Sequence, residues 1–277
     1  MTSTAKTILI TGCSTGIGYE TALALHHRGH QVIATARKPE DVARLSQAGL
    51  TALQLDLADS NSIRTAVAQA LELSHGRCDA LFNNGAFGQP GAVEDLSREV
   101  LKNQFETNVF GTHELTNLLL PVMRRQGHGR IIYNSSVLGL VAMRYRGAYN
   151  ASKFALEGLA DTLRLELHGT NIHIALIEPG PILSEFRKNS YLLFQQHIDP
   201  THSQHQPAYQ AMEARLQKEG PAVAFTLPAQ AVVDKVIHAL EAKRPKLRYY
   251  VTFPTYLFAF LKRILPIPWL DALLRQV

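Results

Sequence analysis

The sequence predicts an α/β fold in which one doubly wound parallel sheet carries helices on both faces. Short apolar runs alternate with segments of helical period along most of the chain, and such β–α repetition builds parallel strands joined by right-handed crossovers. A glycine cluster, "TGCSTGIG" at 11–18, sits where the first apolar run gives way to the first helical segment. In such sheets that junction holds a phosphate. No repeat and no linker interrupts the pattern, so residues 1–277 read as a single domain.

The elements follow in order. "TILIT" (7–11) reads as a strand, and "IGYETALALHHRG" continues from the glycines as a helix. "HQVIATA" (30–36) is the second strand, followed by a helix at 39–48 and the strand "TALQL" (51–55). A helix over 60–74 leads to "DALFNN" (79–84), and a long helical stretch over 97–125 leads to "RIIYNSS" (130–136). A helix at 148–168 precedes "IHIALIE" (172–178). After Pro179 the pattern loosens. Residues 184–227 hold "QQHIDPTHSQHQPAYQ", too long and too proline-broken for a connector, and read as a substrate lid or insertion. A helix at 228–243, a last strand near "LRYYVT" and one or two apolar helices over 253–277 complete the chain.

Composition narrows the function classes. With 46% hydrophobic and 18% charged residues the chain is globular, and no apolar stretch reaches the roughly 20 residues that span a bilayer. Two cysteines, Cys13 and Cys78, form no disulfide framework, and the start shows no signal pattern, so a reducing cytoplasm is expected. The net charge of +5 is local: residues 243–277 hold seven basic residues and one acid, while the remainder, with 21 basic and 22 acidic residues, is close to neutral. No basic stripe crosses the body, which argues against nucleic acid as a partner.

Gly12, Gly16 and Gly18 permit a tight turn, close approach of backbone to phosphate and close helix–strand packing. Their spacing, T-G-x-x-x-G-x-G, comes with further stations in order. "NNGA" (83–86) follows the fourth strand, "TNVFG" supplies Asn108, and "SSVLG" supplies Ser136 thirteen residues before Tyr149. "YNASK" supplies Tyr149 and Lys153, and "EPGP" (178–181) follows the sixth strand. On these residues, from about 6 to 183, the chain resembles the short-chain dehydrogenase/reductase family. Its overall look resembles the retinol- and 17β-hydroxysteroid-dehydrogenase-like branch and the bacterial NADP-dependent aldehyde reductases similar to it. The resemblance implies a Rossmann-type sheet and a dinucleotide lying along Gly12, Ser14, Thr15, Gly16, Ile17 and Gly18. The same resemblance carries the cofactor past Asp56 and Leu57, across Asn84 and Gly85, and beside Pro179, Gly180, Ile182 and Ser184. It also implies a homo-oligomer. One station departs from the family: where Asn-Asn-Ala-Gly is usual, the last two are exchanged as Gly85-Ala86, and alanine tolerates positive φ less well than glycine.

Reducing a carbonyl needs a hydride at carbon and a proton at oxygen. A helix places Tyr149 and Lys153 one turn apart on one face. A tyrosine titrates near 10, and a positive charge about 4 Å away is worth roughly 4 kcal/mol at an effective dielectric of 20, about three pKa units. Lys153 is therefore expected to bring the Tyr149 phenol towards neutrality as a general acid. The resemblance adds that Lys153 holds the nicotinamide ribose, that Ser136 orients the substrate oxygen and that Asn108 completes a proton-relay water site. Adjacent strand residues face opposite ways, so Ser135 and Ser136 cannot both point into the site, and family spacing selects Ser136. Ser152 is expected to pack or lie on the helix surface.

The second strand ends in Ala36, Arg37 and Lys38, with no carboxylate to hold both ribose hydroxyls. A guanidinium suits a 2′-phosphate, so NADP is the expected cofactor. The other common NADP marker, a basic residue before Gly16, is absent because Thr15 is there, and Glu40 and Asp41 dilute the local field.

Apolar residues after Ser136 and in the lid (Phe186, Tyr191, Leu192, Leu193, Phe194) suggest a hydrophobic pocket under a mobile cover. The expected reaction interconverts an apolar aldehyde or ketone and its alcohol. Alternatives are an NAD-linked alcohol dehydrogenase or epimerase of the same fold, and a non-catalytic NADP-sensing protein, which would be expected to have lost Tyr149 or Lys153. His197, His202 and His205 lie in a polar loop without a ligand framework and read as solvated, so no metal is expected. Cys13 reads as a packing residue. "FPTYLFAFLKRILPIPWL" carries aromatic and aliphatic residues around Lys262 and Arg263. It suits peripheral contact with an anionic membrane, and equally packing on the core, which an apolar face all round favours.

Overall fold

Side chains alternate along each strand and so feed two separate cores. The computed structural model describes residues 5–276, leaving residues 1–4 and 277 of the expected span outside it. Strands β1 (Thr7–Ile10), β2 (Gln31–Ala36), β3 (Thr51–Gln54), β4 (Ala80–Asn83), β5 (Gly129–Asn134), β6 (Ile172–Glu178) and β7 (Arg248–Tyr250) form one sheet. Its order is β3-β2-β1-β4-β5-β6-β7, and every neighbouring pair is parallel. The first helices are α1 (Gly16–His27), α2 (Pro39–Gln47), α3 (Ser60–Leu73), α4 (Arg98–Phe105) and α5 (Thr112–Gln126). They are followed by α6 (Gly147–Glu166), α7 (Phe186–His197), α8 (Gln206–Gln217), α9 (Gln230–Glu241), α10 (Phe253–Ile264) and α11 (Ile267–Leu274).

Leu9, Ile33, Leu81, Ile131 and Ile174 point to one face and bury against α3, α5 and α6. Ile10, Val32, Phe82, Ile132 and Ile177 point to the other and bury against α1, α2 and α9. This is the doubly wound class read from the alternation of runs. The order runs outward through β2 and β3, then resumes with β4 on the far side of β1. Crossovers on either side of β1 and β4 therefore leave by opposite faces, opening a crevice at the carboxyl ends of these strands.

The long helix expected over 97–125 is broken. A wide π-helical turn, Glu106–Gly111, separates α4 from α5. The reason lies in packing: a Cβ on Gly111 would sit 1.8 Å from the Leu57 carbonyl oxygen, so only glycine lets this turn approach the chain after β3. Residues 184–227 supply α7 and α8, which close over the crevice around Phe194, Tyr209 and Met212. The C-terminal helices are less buried than an all-round apolar segment suggests. α10 buries only Thr255, Phe258 and Ala259, and α11 buries no residue. Among the described residues no helix is long and apolar enough to cross a membrane.

The edge strand β7 is fastened by one guanidinium. Arg248 donates to Glu157 Oε2 (2.5 Å) and Asp161 Oδ2 (2.7 Å) on α6 and to Glu178 at the end of β6. Three carboxylates share one cation. Burial, with Glu157 beside it, pushes the fully buried Glu178 carboxyl above its ordinary range. A carboxyl raised on folding binds its proton more tightly in the native state, so its stabilisation is present at low pH and is lost as pH rises above about 4.3. In urea titrations wild type should therefore lose stability relative to Glu178→Gln as pH is raised through that range; parallel curves would show that Glu178 carries no retained proton. Arg248→Met should cost about 3 kcal/mol at neutral pH by leaving buried carboxylates uncompensated, with part recovered when Glu178→Gln is added.

Candidate active site

The crevice begins at the turn after β1. Gly12 has φ +68°, and a Cβ there would meet the Gly85 Cα at 2.7 Å, so two loops touch backbone to backbone. Thr15 enters α1 without capping it by its side chain, which leaves the first-turn N–H groups of α1 without that partner. A bare helix start behind a glycine turn fits a pyrophosphate. Behind this loop Asn84 ties three strand ends together. Its Nδ2 donates to the carbonyls of Thr11 (2.9 Å) and Gly12 (3.1 Å), and its Oδ1 accepts from Asn134 Nδ2 (2.9 Å). The Thr11 hydroxyl accepts the Asn84 and Gly85 amides at 2.9 and 2.8 Å. The exchanged Gly85-Ala86 pair is unstrained, because Ala86 is not among the positive-φ residues.

The network continues into the catalytic candidates. Lys153 Nζ donates to the Asn134 carbonyl at 2.6 Å and lies 5.6 Å from the centre of the Tyr149 ring. Ser136 lies close enough to the Tyr149 phenol to favour its ionised form, and its Oγ accepts from the Leu138 amide at 3.1 Å. Ser135, its neighbour, turns the other way and donates to Glu157. The expected lowering of the phenol by Lys153 is not what the folded chain does. Burial dominates and pushes Tyr149 up to about 12, the Ser136 hydroxyl acting against it. Burial likewise pushes Lys153 down to about 8, opposed by the Glu157 carboxylate.

Asn108, expected at a proton-relay water site, has its side chain engaged by protein groups. It is buried in the π turn, its Oδ1 accepts from the Phe87 amide (3.1 Å), and its Nδ2 donates to the Phe87 carbonyl (2.9 Å) and Ser152 Oγ (3.1 Å). With each polar atom engaged, the side chain holds the loop after β4 against α6 and does not line the crevice. Ser152 is correspondingly buried and donates to the Tyr149 carbonyl at 2.9 Å.

A cleft of about 640 Å³ runs from the phosphate loop to the lid. Its wall includes Gly12, Ser14, Thr15, Gly16, Ile17, Asn84 and Gly85 at one end, and Ser136, Tyr149 and Lys153 in the middle. Pro179, Gly180, Ile182 and Ser184 line it after β6. Five expected cofactor residues are off the wall. Gly18 packs against the Gly12 carbonyl, and Leu57 is buried with a methyl facing Gly85, so both shape the floor from behind. Arg37 and Lys38 are exposed after β2, and Asp56 follows β3 with Oδ1 accepting the Ala58 amide at 2.9 Å.

The structure gives Phe186, read from the sequence as part of the lid pocket, a specific place, and adds residues that the reading missed. Phe186, at the start of α7, stacks edge-on to Tyr149 at 5.3 Å between ring centres. Asn134 supplies the acceptor for Lys153. Arg146, Arg187 and Arg215 enter the wall from the lid side. Only Arg146 had a local signal, one helical turn before Tyr149; the other two are brought in by α7 and α8. The lid histidines are dispersed: His197 pairs with Gln89 (2.8 Å) and His205 with Glu94 (2.6 Å). Cys13 is buried, and burial pushes its thiol up to about 12, the state of an inert packing residue.

The short chain dehydrogenase family matches residues 6–192. An uncharacterised oxidoreductase of Escherichia coli K12, YbbO, is 42% identical over 98% of this chain and 94% of its own. Human retinol dehydrogenase 8 is 41% identical over 67% of this chain and 62% of its own. The crystal structure of a short-chain dehydrogenase from Streptomyces avermitilis superposes with a TM-score of 0.77 at 27% identity, covering 100% of this chain and 96% of that one.

Proposed function

The chain belongs to the short-chain dehydrogenase family, and on that premise we propose that it interconverts an apolar aldehyde or ketone and its alcohol, with NADP(H) as the hydride carrier. The observation that carries this reading is the convergence of Tyr149, Ser136 and Lys153 in one largely apolar cleft beside the phosphate loop. When bound, the dinucleotide would deliver or accept the hydride. Tyr149, held protonated through neutral pH by burial, is in the state needed to give a proton to a carbonyl oxygen. Ser136 is placed to share that oxygen. Lys153, lowered to about 8, is a stronger acid than the phenol and can return a proton to the phenolate. Val137, Leu138, Met143 and Phe186 around them favour an apolar body for the substrate, as does the likeness to a retinol dehydrogenase.

The preference for NADP(H) rests on the end of β2. Arg37 follows the strand directly, and among the described residues it forms no ion pair, whereas Lys38 is 3.7 Å from Glu40 and Arg44 is 2.8 Å from Asp41. A free guanidinium there suits a 2′-phosphate, with no carboxylate to bind the bare ribose. The basic residues around it would otherwise be neutralised in place.

Two substitutions test the reading. Tyr149→Phe removes only the transferable proton, so turnover of an aliphatic aldehyde should fall at least about a hundredfold while NADPH binding, followed by its fluorescence, persists. Turnover within about tenfold of wild type would exclude Tyr149 as the general acid. Arg37→Asp should move the ratio of kcat/KM for NADPH over NADH towards NADH, by about tenfold or more. An unchanged ratio would mean that the 2′-phosphate is recognised by other residues.

A further inference from the structure

The lid end of the cleft holds guanidiniums that carbonyl reduction does not use. Arg146 immediately precedes α6, and Arg215 projects from α8; both are on the cleft wall. Among the described residues neither pairs with a carboxylate. The Arg146 Nη1 reaches only the Arg144 carbonyl at 3.5 Å, and Arg215 Nε is buried without any hydrogen-bond partner. Burial and the neighbouring Arg215 charge push Arg146 down to about 10, which leaves it charged at neutral pH. Arg187 is already engaged by the carbonyls of Arg215 (3.3 Å) and Gly220, and the one wall carboxylate, Glu185, lies 3.7 Å from Lys188.

Two like charges in a sheltered wall, without counter-ions, are costly unless an anion joins them. The backbone holds Arg146 there at further cost. Tyr145 adopts a left-handed φ of +60°, fixed by the Gly91 amide donating to its carbonyl at 3.0 Å. Apolar surface from Met143, Met212 and Leu216 adjoins the pair on the same wall. We propose that Arg146 and Arg215 form an anion subsite for a substrate with an apolar body, a carbonyl that reaches Tyr149 and a carboxylate that the two guanidiniums grip. This rests on the reading of the cleft as a carbonyl-reducing site and narrows its substrate class to oxo acids of amphipathic character.

The test compares straight-chain oxo acids bearing a terminal aldehyde with their methyl esters, in wild type, Arg146→Met and Arg215→Met. The ratio of kcat/KM for acid over ester should favour the acid in wild type and fall about tenfold or more in each variant. Calorimetric binding of decanoate against decanol gives a readout without turnover. Acid binding that is lost in both variants would sustain the subsite even if no carbonyl were reduced, and would place the failure in the catalytic reading. Turnover with an acid-to-ester ratio that the variants leave unchanged would overturn the subsite. Loss of NADPH affinity in the variants, with that ratio intact, would also overturn it by assigning the guanidiniums to the cofactor phosphates.

A separate observation carries a second inference. On α10, Phe253, Tyr256, Leu257, Phe260 and Ile264 are all exposed, at 57%, 54%, 37%, 60% and 56%. At 100° per residue they form one stripe about 100° wide, the opposite side being the one that packs on the protein. Ile267 and Trp269 extend it onto α11 at 74% and 66% exposed. The stripe reaches the cleft itself, since Phe253, Pro254 and Leu257 line the wall and Phe225 of the lid stacks on Phe253 at 4.9 Å. Arg263 lies on α10 and Arg275 directly follows α11, Arg144 donates to the Arg275 carbonyl at 2.8 Å, and Asp271 is the only acid on either helix. We infer that this stripe docks on an anionic lipid surface, with the cleft mouth facing the bilayer. Trp269, the only tryptophan of the chain, reports directly on this. Its emission should shift to the blue with phosphatidylglycerol vesicles at low salt and not with phosphatidylcholine vesicles, and Phe260→Ser should weaken co-sedimentation. No shift and no sedimentation with either lipid would overturn the inference. A dimer that Phe260→Ser dissociates, with no vesicle binding, would overturn it in favour of a second copy on the stripe.

Discussion

The Asn84 amide is the constraint on which the site depends. It sits at the crevice floor, where β1, β4 and β5 end, and it donates to the strand before the phosphate loop while accepting from the strand that presents Lys153 with its carbonyl partner. Backbone groups at strand ends have run out of ladder partners, and buried ones must find others. The Asn84 side chain answers the two carbonyls after β1 and accepts the side-chain amide of Asn134 at the end of β5, and so links three strand ends. The glycine turn, the loop after β4 and the lysine are thereby set relative to one another before any ligand arrives. A substrate or cofactor meets a surface already organised, so less ordering has to accompany binding.

Burial acts on the two catalytic candidates in opposite senses, and the pair is informative for that reason. The same low-dielectric surroundings that hold the Tyr149 phenol protonated make the Lys153 ammonium easier to deprotonate. Their proton affinities, nearly equal in water, are driven apart, and neither sits at the value expected from a simple lysine-to-tyrosine charge effect. Phe186 contributes by covering the phenol, which makes the lid part of the electrostatics of the site as well as its door.

Much of this architecture was legible in the residues. Periodicity located the strands to within a residue or two, because a buried parallel strand must be apolar along its length. The glycine turn and the Tyr149–Lys153 spacing were legible because they are local. What was not legible is set by contacts between distant segments. The break in the helix over 97–125 follows from Gly111 meeting the Leu57 carbonyl, a pairing no local pattern encodes. That the Asn108 side chain braces Phe87 and Ser152 is likewise a matter of contacts between distant segments. Arg187 and Arg215 reach the cleft only through the fold of the lid, and an apolar tail gives no sign from composition of which of its faces a neighbour will cover.

The placement of β1 between β2 and β4 has a consequence during synthesis. β1 and β2 can pair once about the first forty residues have emerged, yet the other edge of β1 waits for β4, which begins at Ala80. At about 5–20 residues per second, that apolar edge is unpaired for some seconds. An open, uncharged strand edge is a template for pairing with another chain. The nascent chain therefore passes through an interval in which one edge of β1 is open to such pairing.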